Sequence, residues 1–255
     1  MELLYQQWKA MGAAGESLNL WQSFFVKFYQ AFIEADRWKQ YLEGVGSTLY
    51  VTAMALVIGV ILGVIVAVIR TAHDQQRLGH RNPVLGAVNW VCKMYTTVIR
   101  GTPMMVQLLV MGLVIFSNSR NFAMVGALTL GINSGAYVAE IVRSGLMSVD
   151  PGQMEAGRSL GMNYFDTMRL VVIPQAIKNI LPALGNEFIT LLKDTSLISV
   201  IGGKELVYAA RGVITRTYES MFPLIGSAVI YLLLVMIFSW LQGKLERRLR
   251  QSDRH

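Results

Sequence analysis

Residues 47–69 read STLYVTAMALVIGVILGVIVAVI and contain no charged side chain. A run of about 20 apolar residues is long enough for one α-helix to cross the hydrocarbon layer of a membrane. The whole chain has the same character, since 53% of its 255 residues are hydrophobic, 15% are charged and the mean hydropathy is +0.44. An ordinary soluble domain is less apolar than this. We therefore expect an all-α membrane protein.

Four further segments are predicted to cross the membrane, so that the chain has about five spans. Residues 122–142 and 222–241 are predominantly apolar. Residues 104–116 form a shorter apolar run, and we expect them to use part of the preceding stretch, residues 89–99, to reach across the bilayer. Residues 180–201 are an unusual span, because their apolar sequence is interrupted by Asn186, Glu187, Lys193 and Asp194.

The positions of lysine and arginine predict the orientation of the chain. Most of the 23 lie in three segments that follow the first, third and fifth spans. With an odd number of spans these segments share one side, which the positive-inside rule makes the cytoplasm. We therefore expect the N-terminus to lie outside and the C-terminal tail in the cytoplasm. The three segments contain Arg70, Arg77, Arg81, Lys93 and Arg100; Arg143, Arg158, Arg169 and Lys178; and Lys244, Arg247, Arg248, Arg250 and Arg254.

Composition also excludes several classes of site. One cysteine, Cys92, cannot form an internal disulfide or a multi-thiolate metal site. No metal or nucleic acid is expected, because the histidines lack zinc-site spacing and the basic residues form no block with aromatic residues. Neither a phosphate-binding loop ending in Gly-Lys-Ser/Thr nor a nucleophile and base motif occurs, so an enzyme is not expected. The histidines are His73, His80 and His255.

Small residues recur every four positions in two of the predicted spans. Such a stripe lines one face of a helix and lets another helix backbone approach closely. We expect these faces to pack within the chain, and a subunit interface is the alternative. The stripes are Gly59 and Gly63 in the first span, and Ala127, Gly131, Gly135 and Ala139 in the third.

The loop between the third and fourth spans, residues 149–174, has the pattern of a short, capped helix. Asp150 can cap its start, Pro151 suits the first helical position, and Gln153 can return the capping bond. Gly161 can adopt the left-handed conformation that ends a helix. A second short helix is predicted from Asn163 to about Val172, ending before Pro174. We expect the two helices to form a knob on the cytoplasmic side.

The same loop resembles the EAA loop of ABC importer permeases. It has Glu155-Ala156-Gly157, then Gly161 after three residues, then Val171-Val172-Ile173-Pro174 after nine more. Gly157 replaces the second alanine of that pattern, and Ile173 replaces a leucine. Flanking motifs are similar to the polar amino acid branch of the family: Arg100-Gly101-Thr102-Pro103, Ala136-Tyr137-Val138-Ala139-Glu140-Ile141, Asn186-Glu187-Phe188 and Leu192-Lys193-Asp194-Thr195-Ser196-Leu197.

The resemblance implies a type I importer permease fold over residues 41–245. Residues 1–40 precede it as an external or interfacial segment with a possible interfacial helix around residues 21–38, and residues 246–255 are a cytoplasmic tail. In the family two permease chains pair, as a homodimer or a heterodimer. Each loop docks on one of two ATPase subunits, which bind ATP and Mg²⁺, and a solute-binding protein delivers the solute. The implied coupling residues are Glu155, Ala156, Gly157, Arg158 and Gly161.

Polar residues inside the spans are candidates for the amino acid pathway. Glu187 and Asp194 are seven residues apart and share a helix face with Thr190. Acids within a span usually face a protein interior or a water-filled cavity. An internal ion pair, with Lys193 or with an arginine of another span, is the alternative. Asn133 and Tyr137 could line the same pathway or connect helices. Glu140 and Arg143 are expected to pair with each other.

A secondary amino acid transporter or channel is the main alternative function. It would explain the spans and the intramembrane acids. It would not explain the capped loop with its Glu155 to Pro174 pattern. An ABC importer permease for polar amino acids, surrounded by membrane lipid and without its own ATPase site, therefore fits the sequence better.

Overall fold

The computed structural model describes residues 1–76 and 82–251, which are largely helical and contain no β-strand. Arg77, His80, Arg81, Arg254 and His255 lie outside these residues. The helices are α1 (Glu2–Ala13), α2 (Leu20–Phe32), α3 (Arg37–Asp74), α4 (Pro83–Gly101), α5 (Met104–Leu109), α6 (Phe122–Met147), α7 (Pro151–Ser159), α8 (Tyr164–Thr167), α9 (Ile173–Asp194), α10 (Leu206–Thr217) and α11 (Met221–Gln251). Shorter turns of π-helix (Val110–Ile115 and Met168–Val172) and 3₁₀-helix (Glu34–Asp36 and Thr195–Ile201) connect some of them.

Three of the predicted spans are helices long and apolar enough to cross a membrane. They lie within Glu34–Asp74, Phe122–Met147 and Met221–Leu249. The pair Pro83–Gly101 and Met104–Ile115 also passes this test when taken together, but its two halves are bent by 105°. Length and hydropathy therefore give three spans in the described part of the chain, or four if the bent pair crosses once.

The predicted fourth span is divided between α9 and the 3₁₀ turn that follows it, and it is too polar to pass the same test. It nevertheless runs antiparallel to α6 along the length of that helix. Contacts join the two at both ends and in the middle: Gly145 with Ile180, Ser134 with Glu187, and Gly126 with Ile198. Because α9 packs against protein, its polar side chains need not face lipid.

The bend between α4 and α5 follows from Gly101-Thr102-Pro103. A residue before proline is pushed out of the helical region, and Thr102 is extended (φ −116°, ψ 145°). The side chain of Gln107 then supplies a hydrogen bond to a carbonyl at the end of α4, because its Nε2 donates to the Ile99 carbonyl at 2.8 Å. The same Nε2 lies 2.8 Å from Thr102 Oγ1, to which it also donates. The stretch 89–99 therefore lies at a sharp angle to residues 104–115, and it contributes to the second span only if the bent pair crosses the membrane once.

The two stripes of small residues face each other between α3 and α6, which confirms that they pack within the chain. An added Cβ at Gly63 would lie 2.6 Å from Val138, and one at Gly131 would lie 2.7 Å from Ile58. The main core adjoins this contact between α3, α5, α6 and the 3₁₀ turn after α9. Its buried residues are Val51, Ala55, Leu108, Val125, Ala127, Leu130, Leu191, Ile198 and Ile201.

The N-terminal segment forms two helices rather than one. The helix predicted near residues 21–38 ends at Phe32, and Ala35 and Asp36 then adopt left-handed conformations (φ 54° and 55°). The next helix, α3, begins at Arg37, so the predicted boundary at residue 40 falls inside it. Helix α1 folds back on α2, and Lys9 Nζ lies 2.5 Å from Glu34 Oε1.

Candidate coupling and substrate sites

Helix α7 has the caps that its sequence predicts. The Asp150 carboxylate accepts a hydrogen bond from the Gly152 amide at 2.8 Å, and Pro151 takes the first turn. Gly161 is left-handed (φ +81°), and its amide donates to the Arg158 carbonyl at 3.0 Å. Gln153 was expected to complete the cap, but its Oε1 instead accepts from Gln175 at 3.1 Å.

The second helix of the loop begins as predicted but does not end before Pro174. Asn163 caps it, since its Oδ1 accepts from the Asp166 amide at 2.9 Å. The chain then passes through a π-helical turn, Met168–Val172, directly into α9. Proline costs least at the first turn of a helix, where its missing N–H is not needed. Pro174 occupies such a position in α9, so the loop continues into α9 without a break.

Gly157 is buried inside the loop and does not face outward. A Cβ at this position would lie 2.5 Å from Thr167 Cγ2 and 2.9 Å from Thr167 Oγ1. Contacts this short require the Thr167 side chain or its helix to shift. The replacement of the second EAA alanine by Gly157 therefore allows close packing of α7 on α8.

The other predicted coupling residues are on the surface of the loop. Glu155, Ala156, Arg158 and Gly161 are exposed. They adjoin large apolar side chains that are also exposed, including Leu160 (83% exposed), Tyr164 and Phe165. Exposed apolar patches beside charges are typical of protein–protein contact sites.

A cavity of about 520 Å³ lies at the junction of α4, α6 and α9. It contains two of the five predicted pathway residues, Tyr137 and Glu187. The full lining is Arg100, Tyr137, Glu140, Ile141, Ser144, Gly145, Ser148, Asn179, Ala183 and Glu187. The lining carries both signs of charge, which a solute with an ammonium and a carboxylate group could match.

Glu187 is held in this cavity by a hydrogen bond and not by an ion pair. The Ser134 hydroxyl donates to Glu187 Oε1 at 2.7 Å. Among the described residues no lysine or arginine forms a salt bridge with Glu187 or Asp194, so neither of the internal pairs that we considered is present.

The other three pathway candidates lie apart from the cavity. Thr190 is exposed and its hydroxyl donates to the Asn186 carbonyl at 3.1 Å. Asp194 is the last residue of α9. Asn133 Nδ2 donates to Gln107 Oε1 at 2.9 Å, which ties α6 to α5 as expected for a polar contact between helices.

Comparison with known proteins decides the family. The model of the family described as "Binding-protein-dependent transport system inner membrane component" matches residues 83–251, which include both loop helices and the cavity-lining residues. The chain belongs to this family. It is therefore a permease subunit of an ABC transporter, and a secondary transporter or channel is excluded.

Similar proteins cover most of the permease. The arginine transport system permease protein ArtQ of Bacillus subtilis is 36% identical over 217 residues, 83% of this chain and 93% of ArtQ. The glutamine transport system permease protein GlnP of Escherichia coli is 33% identical over 213 residues, 82% of this chain and 92% of GlnP. A crystal structure of an amino acid ABC transporter with histidines is 43% identical with a TM-score of 0.73, covering 82% and 94% of the two chains.

The fold class is confirmed. The inward-facing MetNI methionine ABC transporter has a TM-score of 0.72 to the permease at 18% identity, covering 86% and 99% of the two chains, so the two share the fold. These neighbours are type I importer permeases, and permeases of this family lack an ATPase site of their own.

The permease also has a charged cluster that sequence reasoning did not assemble. Glu140 pairs with Arg70 of α3, and Arg143 bonds Asp74 at 2.8 Å, so the expected Glu140–Arg143 pair is only a loose contact of 3.8 Å. Arg100 lies 3.9 Å from Glu140 and 5.2 Å from the Tyr137 ring centre. Arg100 begins the Arg100-Gly101-Thr102-Pro103 motif, which is similar to a motif of the polar amino acid branch. That similarity was the signal that could have placed Arg100 in the site.

Proposed function

We propose that the permease forms part of the translocation pathway of an importer for polar amino acids, and that the cavity between α4, α6 and α9 contacts the solute. The names of similar proteins support the substrate class, since ArtQ is described as an arginine permease and GlnP as a glutamine permease. The transporter of the solved relative is likewise described as carrying amino acids.

The observation that carries this proposal is the pair of opposite charges in the cavity lining. Every free amino acid has an ammonium and a carboxylate group on the same carbon. Glu187, oriented by Ser134, would receive the ammonium. Arg100, which is only loosely held near Glu140 and Tyr137, would receive the carboxylate through its planar guanidinium. A zwitterion would thus meet a partner for each charge, which lowers the cost of bringing it into the membrane.

Substitution of the two charges tests this role in the complete transporter reconstituted in liposomes. Glu187→Gln and Arg100→Gln should each reduce uptake about tenfold, which corresponds to about 1.4 kcal/mol of lost solute interaction. ATP hydrolysis stimulated by the loaded binding protein and the thermal unfolding temperature should change little. Normal uptake by both variants would contradict the proposed site.

Asp194 and Thr190 are proposed to extend the pathway along α9 beyond this cavity. Uptake by the Asp194→Asn variant is compared with uptake by Glu187→Gln, because Asp194 does not line the cavity and Glu187 does. A loss of uptake equal to that of Glu187→Gln would support the longer pathway. Normal uptake by Asp194→Asn together with reduced uptake by Glu187→Gln would restrict the site to the cavity.

The surface of α7 is proposed to dock on an ATPase subunit that binds ATP and Mg²⁺. Glu155 and Arg158 would supply polar contacts, and Ala156 with the exposed Leu160 and Phe165 would supply the apolar part of the interface. Gly157 and Gly161 would act indirectly by fixing the shape of the loop. Because the loop continues into α9 through Pro174, movement of the ATPase subunits would be transmitted to the span that carries Glu187.

Charge reversal at Glu155 tests the coupling role. Glu155→Arg should leave the permease inserted and folded but greatly reduce ATP hydrolysis stimulated by loaded binding protein. Glu16→Arg makes the same charge change at an exposed position near the N-terminus and should have no effect. Equal stimulation in the two variants would rule out this role for Glu155, whatever the outcome for the solute cavity.

The complete assembly is proposed to contain two ATPase subunits, a second permease chain and an extracytoplasmic solute-binding protein. The second chain is a copy of this one or a related chain. We place the assembly in a bacterial inner membrane, with the N-terminus outside and the tail in the cytoplasm. Contacts support this orientation, because Asp74 at the end of α3 bonds Arg143 near the end of α6, which brings two of the basic segments to the same end of the bundle.

A further inference from the structure

Helix α2 has one apolar face that the rest of the described chain leaves largely exposed. Leu20 is 93% exposed and Trp21 is 68% exposed, and Phe24 and Phe28 are also exposed. Their spacing of three to four residues places them in one stripe on the helix. An exposed stripe of this length, rich in aromatic residues, is uncommon on a surface that contacts only water.

The remaining faces of α2 are packed, so its orientation is fixed. Helix α1 covers one side, where the Tyr5 and Tyr29 rings are stacked with centres 4.2 Å apart and Trp8 meets Phe25 edge-on at 5.4 Å. Phe32 contacts the bundle on the other side, because it fills the space beside Gly226 of α11.

The open stripe is continuous with the exposed apolar surface of α11, a helix long and apolar enough to cross a membrane. Phe24 and Phe28 pack on Phe222 with ring centres 4.9 and 6.2 Å away. Phe222 is at the start of α11, which is long and apolar enough to cross a membrane. Only 17% of the most apolar 18-residue window of this helix is buried within the chain. The outward side chains of α11, such as Leu224, Ile225 and Leu232, are exposed. The stripe therefore lies beside the end of a lipid-facing helix.

Charge on this segment does not favour an electrostatic partner. Lys27, the basic residue within α2, lies 3.0 Å from Glu219, and Lys9 of α1 is paired with Glu34. Lys39 near the start of α3 lies 2.6 Å from Asp36. The stripe itself consists of apolar and aromatic side chains. The main attraction that it offers a partner is therefore the removal of its apolar surface from water. Trp and Phe side chains of this kind are enriched where a helix lies at a membrane surface.

We propose that α2 is a membrane-surface helix whose Leu20, Trp21, Phe24 and Phe28 insert between the lipid headgroups and the acyl chains. The partner is the bilayer, and the contact does not depend on the transported solute. By its packing on Phe222, the inserted helix would set the depth at which α11 enters the membrane. The proposal gives the N-terminal segment a role that the coupling loop and the cavity do not explain.

Spin labels at single cysteines test the insertion in the reconstituted transporter. A Cys92→Ser background removes the one native thiol. Leu20→Cys probes the stripe without loss of packing, because Leu20 is almost fully exposed. Leu232→Cys on the outer face of α11 is the lipid reference. Glu43→Cys is the water reference, since Glu43 is exposed and lines a cavity together with the polar residues Gln40, Ser47 and Lys204.

The measurement is the accessibility of each label to oxygen and to a water-soluble nickel complex in phosphatidylcholine vesicles. We expect the ratio of oxygen to nickel accessibility at position 20 to exceed that at position 43 severalfold and to approach that at position 232. A ratio equal to that at position 43 would overturn the proposal. Low accessibility to both reagents, or a change at position 20 on addition of the solute-binding protein, would show that protein covers the stripe and would also overturn it.

Discussion

Gly157 stands where the EAA pattern has its second alanine, and its position explains the difference. Its backbone lies so close to Thr167 that a methyl group would overlap the threonine side chain. The pair forms the contact between α7 and α8. A small residue at position 157 therefore serves the internal packing of the loop and leaves its outer surface unchanged.

Gly157→Ala should loosen the loop. Overpacking of this kind costs about 1–3 kcal/mol, so the locally open population should rise about 5-fold to 150-fold. Limited trypsin digestion in detergent micelles measures this, because Arg158 and Arg169 lie in the loop and are cut when it opens.

The matched control is the double variant with Thr167→Ala, which removes both atoms in close contact. Digestion of the Gly157→Ala/Thr167→Ala protein should return toward that of the unmodified permease. If the single variant is digested no faster than the unmodified permease, the contact does not limit the residue at position 157.

Asn133 is a second residue whose role is decided by its partner. Because its amide donates to Gln107 at 2.9 Å, Asn133→Ala and Gln107→Ala should show a coupling free energy of about 0.5–1.5 kcal/mol in a double-mutant cycle of unfolding. Denaturant unfolding of the solubilised permease gives the four values. Additive effects on unfolding, combined with a raised KM for uptake in Asn133→Ala alone, would instead place Asn133 in the pathway.

At the scale of elements, α10 is fixed to the bundle by a buried acid. Glu205 is 1% exposed and caps α10, where its two oxygens accept from the amides of Val207 at 2.7 Å and Tyr208 at 2.6 Å. Tyr231 of α11 donates to the same carboxylate at 2.9 Å. Thr195 lies 3.2 Å from the Tyr231 hydroxyl. This network connects α10, α11 and the turn after α9.

Tyr231→Phe should therefore destabilise the permease by about 1–3 kcal/mol, because it leaves a buried carboxylate with one donor fewer. Thermal unfolding of the detergent-solubilised protein measures the loss as a lower midpoint temperature. Tyr208→Phe removes a hydroxyl from an exposed tyrosine of α10 and should leave the midpoint unchanged. Equal midpoints for Tyr231→Phe and the unmodified protein would show that the network contributes nothing to stability.

At the scale of the whole molecule, the distribution of charge predicts how the bundle sits in the membrane. In a Cys92→Ser background, Ser17→Cys should react with an impermeant thiol reagent on intact cells whose outer membrane has been made permeable. Ser159→Cys, which is exposed on α7, should react only after the inner membrane is opened. The reason is that the basic segments resist translocation.

The Cys92→Ser protein without an added cysteine controls for background labelling. If Ser159→Cys reacts in intact cells and Ser17→Cys does not, the orientation is the opposite of the predicted one. Reaction of both positions under the same conditions would require an even number of spans between residues 17 and 159, whereas the five-span topology has three there.

The sequence by itself predicted the features that depend on neighbouring residues. The apolar runs of α3, α6 and α11 and the caps at Asp150 and Gly161 follow from local hydropathy and backbone preference, and they are present where expected. The family resemblance rested on motifs of the same local kind. Pro174 misled the prediction, because a preceding π-helical turn lets the chain enter α9 without a break.

Only the tertiary structure decided which distant residues meet. Asn133 and Glu187 are alike in sequence terms, as polar residues in spans, yet one bonds Gln107 and the other lines a cavity with Arg100. The fit of Gly157 to Thr167 was equally invisible, and so was the packing of α2 on Phe222, although an interfacial helix in this region was predicted. Local preferences act over a few residues, whereas burial, close contact and charge pairing depend on where whole helices pack.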